Sequence, residues 1–353
     1  MSLNTLISDR ASNCSKLFKK IVVSKAKLTQ QESEELFDYL ISTPEASYQC
    51  AATLALMKYR GESADELWGL YKVMSKRVRE ISLAVDGAID IGGTGGGRPT
   101  FNISTAAALI VAAAGVPVCK HGNYRVSSQS GSFDVLSFLG IKIERCSSPD
   151  FAKHLYENLG ITFLSTRSYH NHPQLLIDIR KSLGVPTAFN VIGPLLNPAC
   201  VPFQLVGTSQ PEKMDAMAKI LIDQGRKRFI IAYGMEGIDE ISPCGDTQIL
   251  YYKDGVMQFY TLTPSDFNIP AVDEDLLIGG TPETNANIIT GMFNNELPER
   301  LNVVLPTAAT ALWLCNAVAS LPEAAQLARR TVESGKAAKL LSQLLKVCNE
   351  DTN

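Results

Sequence analysis

The residues of this chain whose types and spacing could do chemistry fall in three short segments. The first is Asp90-Ile91-Gly92-Gly93-Thr94-Gly95-Gly96-Gly97-Arg98-Pro99-Thr100-Phe101-Asn102-Ile103-Ser104-Thr105, where five of the six residues 92–97 are glycine. An apolar run predicts a strand before it, and an alanine-rich run predicts a helix after it. Bare glycine amides can approach an anion closely, Ser104 and Thr105 add hydroxyls at the helix mouth, and the helix dipole favours negative charge there. Such a segment is suited to phosphate groups. The competing reading is a plain surface turn, because glycine runs also occur there. The pattern is neither G-x-G-x-x-G nor a P-loop, since no Lys-Ser or Lys-Thr follows the glycines.

The second segment, Lys120-His121-Gly122-Asn123-Tyr124-Arg125-Val126-Ser127-Ser128-Gln129-Ser130-Gly131-Ser132, follows the predicted strand Val116–Cys119. Loops at the carboxyl ends of strands in an open α/β sheet converge on the ligand crevice, so this polar run is expected to face the glycine segment. The third, Gly237-Ile238-Asp239-Glu240-Ile241-Ser242, sets adjacent carboxylates after another predicted strand. Hard oxygen ligands of this kind hold Mg²⁺, which usually keeps waters and bridges to substrate phosphates; an Asp-Glu pair alone is more often a solvated charge.

The elements that must position these segments fall into two groups. Residues 1–75 predict a helical domain: Thr29 with Glu32 three residues on marks a capped start for a helix through Leu40, a second helix runs over 48–59 until Gly61, and Ser63 caps a third from Ala64 to about Arg79. From Ile89 short apolar runs alternate with helices: 88–93, 104–115, 116–122, 132–140, 141–144, 203–209, 228–234 and 248–255. This alternation predicts an α/β domain with a mostly parallel sheet over 76–164 and 191–353, closed by alanine-rich helices over 307–320 and 322–345. The run 169–184 predicts a helix that returns the chain near 165–190 to the helical domain.

Composition narrows the function further. The 353 residues carry 33 Lys and Arg against 36 Asp and Glu, with no basic run, which disfavours nucleic acid and anionic membranes as partners. No apolar stretch reaches roughly 18 residues, so a cytoplasmic protein is expected. The eight cysteines form no C-x-x-C pair and read as buried thiols.

These segments, together with Phe189-Asn190-Val191-Ile192-Gly193-Pro194-Leu195-Leu196-Asn197-Pro198-Ala199, closely resemble the anthranilate phosphoribosyltransferases along nearly the whole chain. The resemblance implies a small helical domain joined to a larger α/β domain of the nucleoside-phosphorylase type, a homodimer, and Mg²⁺ as cofactor. It implies transfer of the phosphoribosyl group from phosphoribosyl pyrophosphate to anthranilate with release of pyrophosphate, a step of tryptophan biosynthesis. Position by position it implies that Gly93, Thr94, Gly95, Gly96, Thr100, Asn102, Ser104 and Thr105 bind the donor. Lys120, His121, Gly122, Asn123, Ser127, Ser128 and Ser132 would join them, Gly93, Asn123 and Arg180 would hold the acceptor, and Ser104, Asp239 and Glu240 the metal. No residue is expected to act as a strong acid or base.

The sequence also departs from the family. Gly97-Arg98-Pro99 follows Gly-Thr-Gly-Gly directly, so the usual aspartate is absent and the loop is one residue shorter. Tyr124-Arg125 replaces Arg-Ala, the His-Pro-Ala-Met-Lys pattern is missing after Tyr169, and Pro186 stands where a second arginine is common. These changes leave three alternatives: a phosphoribosyltransferase for another aromatic acid or amine, a pyrimidine nucleoside phosphorylase, and a non-catalytic relative that binds nucleic acid.

Overall fold

The computed structural model describes residues 3–124 and 130–350. Four helices open the chain, α1 (Leu3–Val22), α2 (Gln30–Ser42), α3 (Ser47–Arg60) and α4 (Ala64–Ser75). Two of them begin in reciprocal caps: the Thr29 and Ser63 hydroxyls accept the amides three residues on, and Glu32 and Glu66 reach back to the cap amides at 2.9 Å. Glycine at position 69 lets α4 lie directly on α2, since a Cβ there would stand 2.5 Å from Ser33 Cβ. The helix expected to reach Arg79 ends at Ser75, and Val78 instead forms a bridge with His170.

The chain then alternates: β1 (Ile89–Gly93), α5 (Ile103–Ala113), β2 (Val118–Gly122), α6 (Ser132–Phe138), α7 (Pro149–Leu159), β3 (Ile161–Ser165), α8 (Thr166–Tyr169), α9 (Gln174–Leu183), α10 (Ala188–Ile192), β4 (Phe203–Gly207), α11 (Met214–Asp223), β5 (Arg228–Gly234), β6 (Thr247–Lys253) and β7 (Val256–Leu262). It ends with α12 (Pro282–Phe293), α13 (Pro298–Leu314), α14 (Leu321–Glu333) and α15 (Lys336–Asn349). The seven strands form one sheet in the order β3-β2-β1-β4-β5-β6-β7, with the first five parallel and the last two antiparallel. The expected architecture, a helical unit plus a mostly parallel α/β sheet, is the one observed.

Two local expectations need correction. Residues 141–144 do not form a strand. Ile143 and Cys146, three apart, turn their side chains into the core from a 3₁₀ turn over Ile143–Ser147, which fits a period of three. The strand that follows is Ile161–Ser165, and β7 adds an edge strand that the apolar pattern left out.

One face of the sheet is covered by α5, α13, α14 and α15, and the other shares a continuous core with the helical unit, in which Phe37, Leu70 and Met74 meet Phe189, Ile192, Met217 and Ile231. Polar clamps reinforce that junction: the buried Lys213–Glu62 pair at 3.0 Å and the Lys58–Gln210 hydrogen bond at 2.9 Å. Both fix the start of α11 against the end of α3 and its exit, so the helical unit sits firmly beside the carboxyl ends of β4 and β5. No helix among the described residues is long and apolar enough to cross a membrane.

Candidate active site

The strand order reverses between β1 and β4, because β1 leads to β2 on one side and β4 lies on the other. Crevices of open α/β sheets form outside the carboxyl ends of strands at such a point. Gly93 and Gly207, the last residues of these two strands, are register partners, and Asp239 lies across both. A Cβ at Gly93 would collide with the Asp239 carboxylate, and one at Gly207 with its carbonyl oxygen. Glycine at both positions is what admits the Asp239 turn to the strand ends.

The loop that follows is held from below and open above. Thr94 N donates to Gly207 O at 3.0 Å, Gly95 N to Asp239 Oδ2 at 2.7 Å, and Arg98 N to Gly237 O at 2.8 Å. Ser209 closes the other side, its amide donating to Thr94 Oγ1 at 3.2 Å and its hydroxyl to Gly95 O at 2.9 Å. Gly95 and Gly96 take φ of +66° and +80°, which favour glycine. Between these anchors the amides of Gly96 and Gly97 have no acceptor among the described residues. Successive free amides of this sort form an anion-binding concavity.

Ser104, Asp239 and Glu240 are brought together. Ser104 N, in the first turn of α5, donates to Glu240 Oε1 at 3.0 Å, and Thr307 Oγ1 of α13 donates to Glu240 Oε2 at 3.2 Å. Burial pushes the Glu240 carboxyl up to about 8, the Asp239 charge acts in the same direction, and Lys120 and the two hydrogen bonds pull it back. Burial also raises Asp239, opposed by the Gly95 amide. Two neighbouring carboxyls are thus held in a place short of positive charge.

Lys120, His121 and Gly122 were expected in a loop, but β2 runs through Gly122 and carries them. Lys120 is only 1% exposed, and its ammonium donates to Ile91 O at 2.8 Å. Burial lowers its proton affinity while Asp90 and Glu240 raise it. Its charge therefore lies beneath the strand ends and acts on the carboxylates from below. Gly122 is needed where the chain passes Phe133 and Ser132, since a Cβ would stand 2.7 Å from each. Asn123 caps its own turn through Tyr124 N at 2.9 Å, and Ser132 Oγ donates to Asn123 O at 3.5 Å.

His121 stacks on His170 with ring centroids 4.9 Å apart, and His172 meets His170 edge-on at 5.2 Å. His170 Nε2 lies 3.0 Å from Leu196 O and 3.1 Å from His121 Nε2. A carbonyl only accepts, so His170 Nε2 carries the proton and His121 Nε2 accepts. Burial lowers all three rings, His170 to about 4 and His172 to about 3. A histidine whose proton affinity is depressed on folding favours the folded state above the unfolded value and loses that advantage as pH falls. The thermal midpoint is expected to drop as pH falls from about 6.5 toward 4, with a shallower drop in His172→Asn. Circular dichroism melts at stepped pH check this, and parallel curves for the two proteins would contradict it.

The guanidinium of Arg180, on the last turn of α9, lies over the Phe189 ring at 5.1 Å and has no hydrogen-bond or ion-pair partner among the described residues. Burial lowers it to about 10. A largely buried guanidinium with no anion is a ready carboxylate site, because burying an unpaired charge is costly.

The other expected residues are placed as follows. Asn102 Oδ1 accepts from Asn285 Nδ2 at 2.8 Å and Ser130 Oγ at 3.1 Å, so it ties the start of α5 to α12. Thr100 is half-buried at the end of the glycine loop. Thr105 is fully buried and its hydroxyl has no partner, so it points into the core rather than to the helix mouth. Ser127 and Ser128 lie outside the described residues. Sequence reasoning missed Ser209, Thr307 and Asn285; only the strand end Gly207-Thr208-Ser209 carried a local signal.

Residues 85–338 match the model of the glycosyl transferase family a/b domain, and residues 15–78 match that family's helical bundle domain. An anthranilate phosphoribosyltransferase of Clostridium kluyveri is 38% identical over 331 residues, covering 94% of this chain and 98% of that protein. The crystal structure of the Thermus thermophilus enzyme of the same name superposes with a TM-score of 0.84 at 32% identity, covering 95% of this chain and 99% of that one. The chain belongs to the anthranilate phosphoribosyltransferase family. The Saccharomyces cerevisiae family member, solved in complex with PRPP (phosphoribosyl pyrophosphate) and Mg, shares the fold at a TM-score of 0.84 and 24% identity, covering 96% and 98% of the two chains.

The departures from the family pattern have visible contacts. Arg98, in the shortened loop, forms an ion pair with Glu274. The ring of Pro186 lies beside the glycine loop, its Cγ 3.4 Å from where a Gly96 Cβ would stand, so the α9–α10 connection that follows Arg180 borders the loop. Tyr124 donates its hydroxyl to Glu144 at 3.1 Å and lies under the Arg167 guanidinium at 4.4 Å. Its ring is thereby held against Phe133.

Proposed function

We propose that this member of the anthranilate phosphoribosyltransferase family transfers the phosphoribosyl group of PRPP to the amine of anthranilate at the β1/β4 crevice. The observation that carries the reading is the set of free Gly96 and Gly97 amides beside the paired Asp239 and Glu240 carboxyls at the β1 and β4 strand ends, and it is supported by the unpartnered Arg180 guanidinium on α9, whose connection to α10 brings Pro186 beside the glycine loop. The amides bind the pyrophosphate, and Arg180 takes the anthranilate carboxylate and aligns the amine. The amine lone pair forms the N–C1′ bond as the C1′–O electron pair leaves with pyrophosphate. The new nitrogen is cationic and loses its proton to water, so positioning and electrostatics supply most of the rate.

Mg²⁺ fits the residues present. Asp239 and Glu240 are hard oxygen donors held together without a compensating cation at the crevice, and Mg²⁺ needs only one or two carboxylates beside phosphates and water. When bound it neutralises charge on the leaving pyrophosphate. Glu240 must be ionised to bind it, so below pH 8 binding displaces a proton. Calorimetry of Mg²⁺ with PRPP is expected to show affinity rising between pH 6 and 8 by up to about tenfold per unit more in the wild type than in Glu240→Gln. Equal pH dependence in the two would contradict the role of Glu240.

The remaining family residues Gly93, Thr94, Asn102, His121 and Asn123 complete the donor and acceptor walls in this reading. A cytoplasmic homodimer belongs to it as well. Tyr48 and Tyr59, eleven residues apart on one face of α3, are 88% and 93% exposed, which supports a partner on the helical unit. PRPP with Mg²⁺ is expected to raise the thermal midpoint of the protein, whereas ribose 5-phosphate with Mg²⁺ gives little. No stabilisation by PRPP would overturn the donor site.

A further inference from the structure

We propose that Arg98 is a pyrophosphate-binding residue, kept on Glu274 in the free protein and handed to the leaving group when the donor binds. This rests on the reading of the crevice as a PRPP site. Arg98 is the only charged side chain between Gly92 and Thr105, and it directly follows the two glycines whose amides are free. Its backbone is fixed, because Arg98 N donates to Gly237 O at 2.8 Å and Pro99 follows it. Its side chain is not enclosed. The guanidinium and the Glu274 carboxylate are 39% and 50% exposed.

Glu274 belongs to a separate support. It opens a 3₁₀ turn, Glu274–Leu277, whose Leu277 carbonyl accepts Phe101 N at 2.9 Å, and whose Leu276 carbonyl accepts the Arg300 guanidinium of α13. The pair thus bridges a fixed loop backbone and a fixed turn through two solvent-exposed side chains. Exposed ion pairs are weak because water screens them and both side chains lose freedom in forming them, so this one is easily exchanged. A pyrophosphate offers several anionic oxygens to the planar fork of an arginine, a stronger partner than a single exposed carboxylate. The site has need of such a cation. Lys120 spends its ammonium on Ile91 O beneath the strands, and the crevice side carries Asp239, Glu240 and Glu236.

Arg98→Ala, Arg98→Lys, Glu274→Gln and the double variant Arg98→Ala with Glu274→Gln separate this role from that of a latch. Calorimetry with PRPP and Mg²⁺ alone, followed by steady-state kinetics, is the measurement. Arg98→Ala is expected to weaken PRPP binding on the order of tenfold, with the KM for anthranilate within about twofold and Arg98→Lys recovering part of the loss. Glu274→Gln frees the guanidinium and is expected to leave PRPP binding equal or tighter, and to change nothing further in the Arg98→Ala background. Equal weakening by Arg98→Ala and Glu274→Gln would make the pair a latch, and no change in either would make it a surface contact; both overturn the proposal. Absence of PRPP binding by the wild type would instead fault the donor-site reading on which it rests.

Discussion

Arg180→Ala is expected to raise the KM for anthranilate on the order of a hundredfold while leaving PRPP binding within about twofold. The guanidinium stacks on Phe189 and is lowered to about 10 by burial, yet no described carboxylate faces it. Folding therefore holds a cation in a poorly solvated place without an internal partner. The free protein bears that cost, and a bound carboxylate relieves it. Removal of the side chain should leave folding intact or improved, because no hydrogen bond or ion pair of Arg180 is lost among the described residues. The pattern to look for is thus a large acceptor defect in a protein whose thermal midpoint does not fall. Arg180→Lys should recover little, since an ammonium on a flexible stem neither stacks on Phe189 nor forms a bidentate pair. A drop in kcat with unchanged KM for anthranilate would place Arg180 outside the acceptor pocket.

Asp239→Asn is expected to lower kcat/KM for PRPP by about 10²–10³. The substitution keeps the shape that Gly93 and Gly207 make room for, and the amide oxygen can still accept the Gly95 N–H now held at 2.7 Å. What it removes is the charge. The neighbouring Glu240, no longer raised by a second carboxylate, should ionise at lower pH than in the wild type, so the loss in the variant is expected to widen as pH rises toward 8 and the wild-type Glu240 also ionises. Gly207→Ala is the geometric counterpart. Its methyl group would displace the Asp239 carbonyl and the whole turn, and the defect there should accompany a loss of stability. Kinetics against pH combined with thermal melts distinguishes the two, and full activity in Asp239→Asn would exclude a charge role for this carboxylate.

Much of the fold was legible because its signals are local. Thr29 with Glu32 and Ser63 with Glu66 are capping patterns contained in four residues, and both form. The apolar runs at β1, β2, β4, β5 and β6 stand between turn residues and become strands. Ile161–Ser165 was missed because Thr162 and Ser165 interrupt its apolar character while every residue in it is buried, so its pattern has no period to read. Val256–Leu262 was missed for the opposite reason. It lies at the sheet edge with nearly every residue exposed, and nothing selects one face. The strand reading of residues 141–144 failed because its two apolar positions, Ile141 and Ile143, are too few to tell a pleat from the entry to a 3₁₀ turn.

The site was legible where a backbone requirement writes itself into sequence. Five glycines in six positions, followed by a helix start, are such a requirement, and so is Asp239-Glu240 after a buried strand. The partners that set their chemistry are tertiary. Thr307 is 67 residues from Glu240, Asn285 is 183 from Asn102, and His170 is 49 from His121. No spacing rule joins them. Lys120 shows the same limit, since its type and position near the strand end say phosphate, whereas the strand carries it two residues deeper, to a carbonyl beneath the glycine loop.

The most direct test of phosphoribosyl transfer to anthranilate is the anthranilate fluorescence of a reaction containing the purified protein, PRPP and Mg²⁺. The account predicts a loss of fluorescence that needs all three components, is matched one for one by released pyrophosphate, and falls in Arg180→Ala and Asp239→Asn. Steady fluorescence with PRPP demonstrably bound would contradict it.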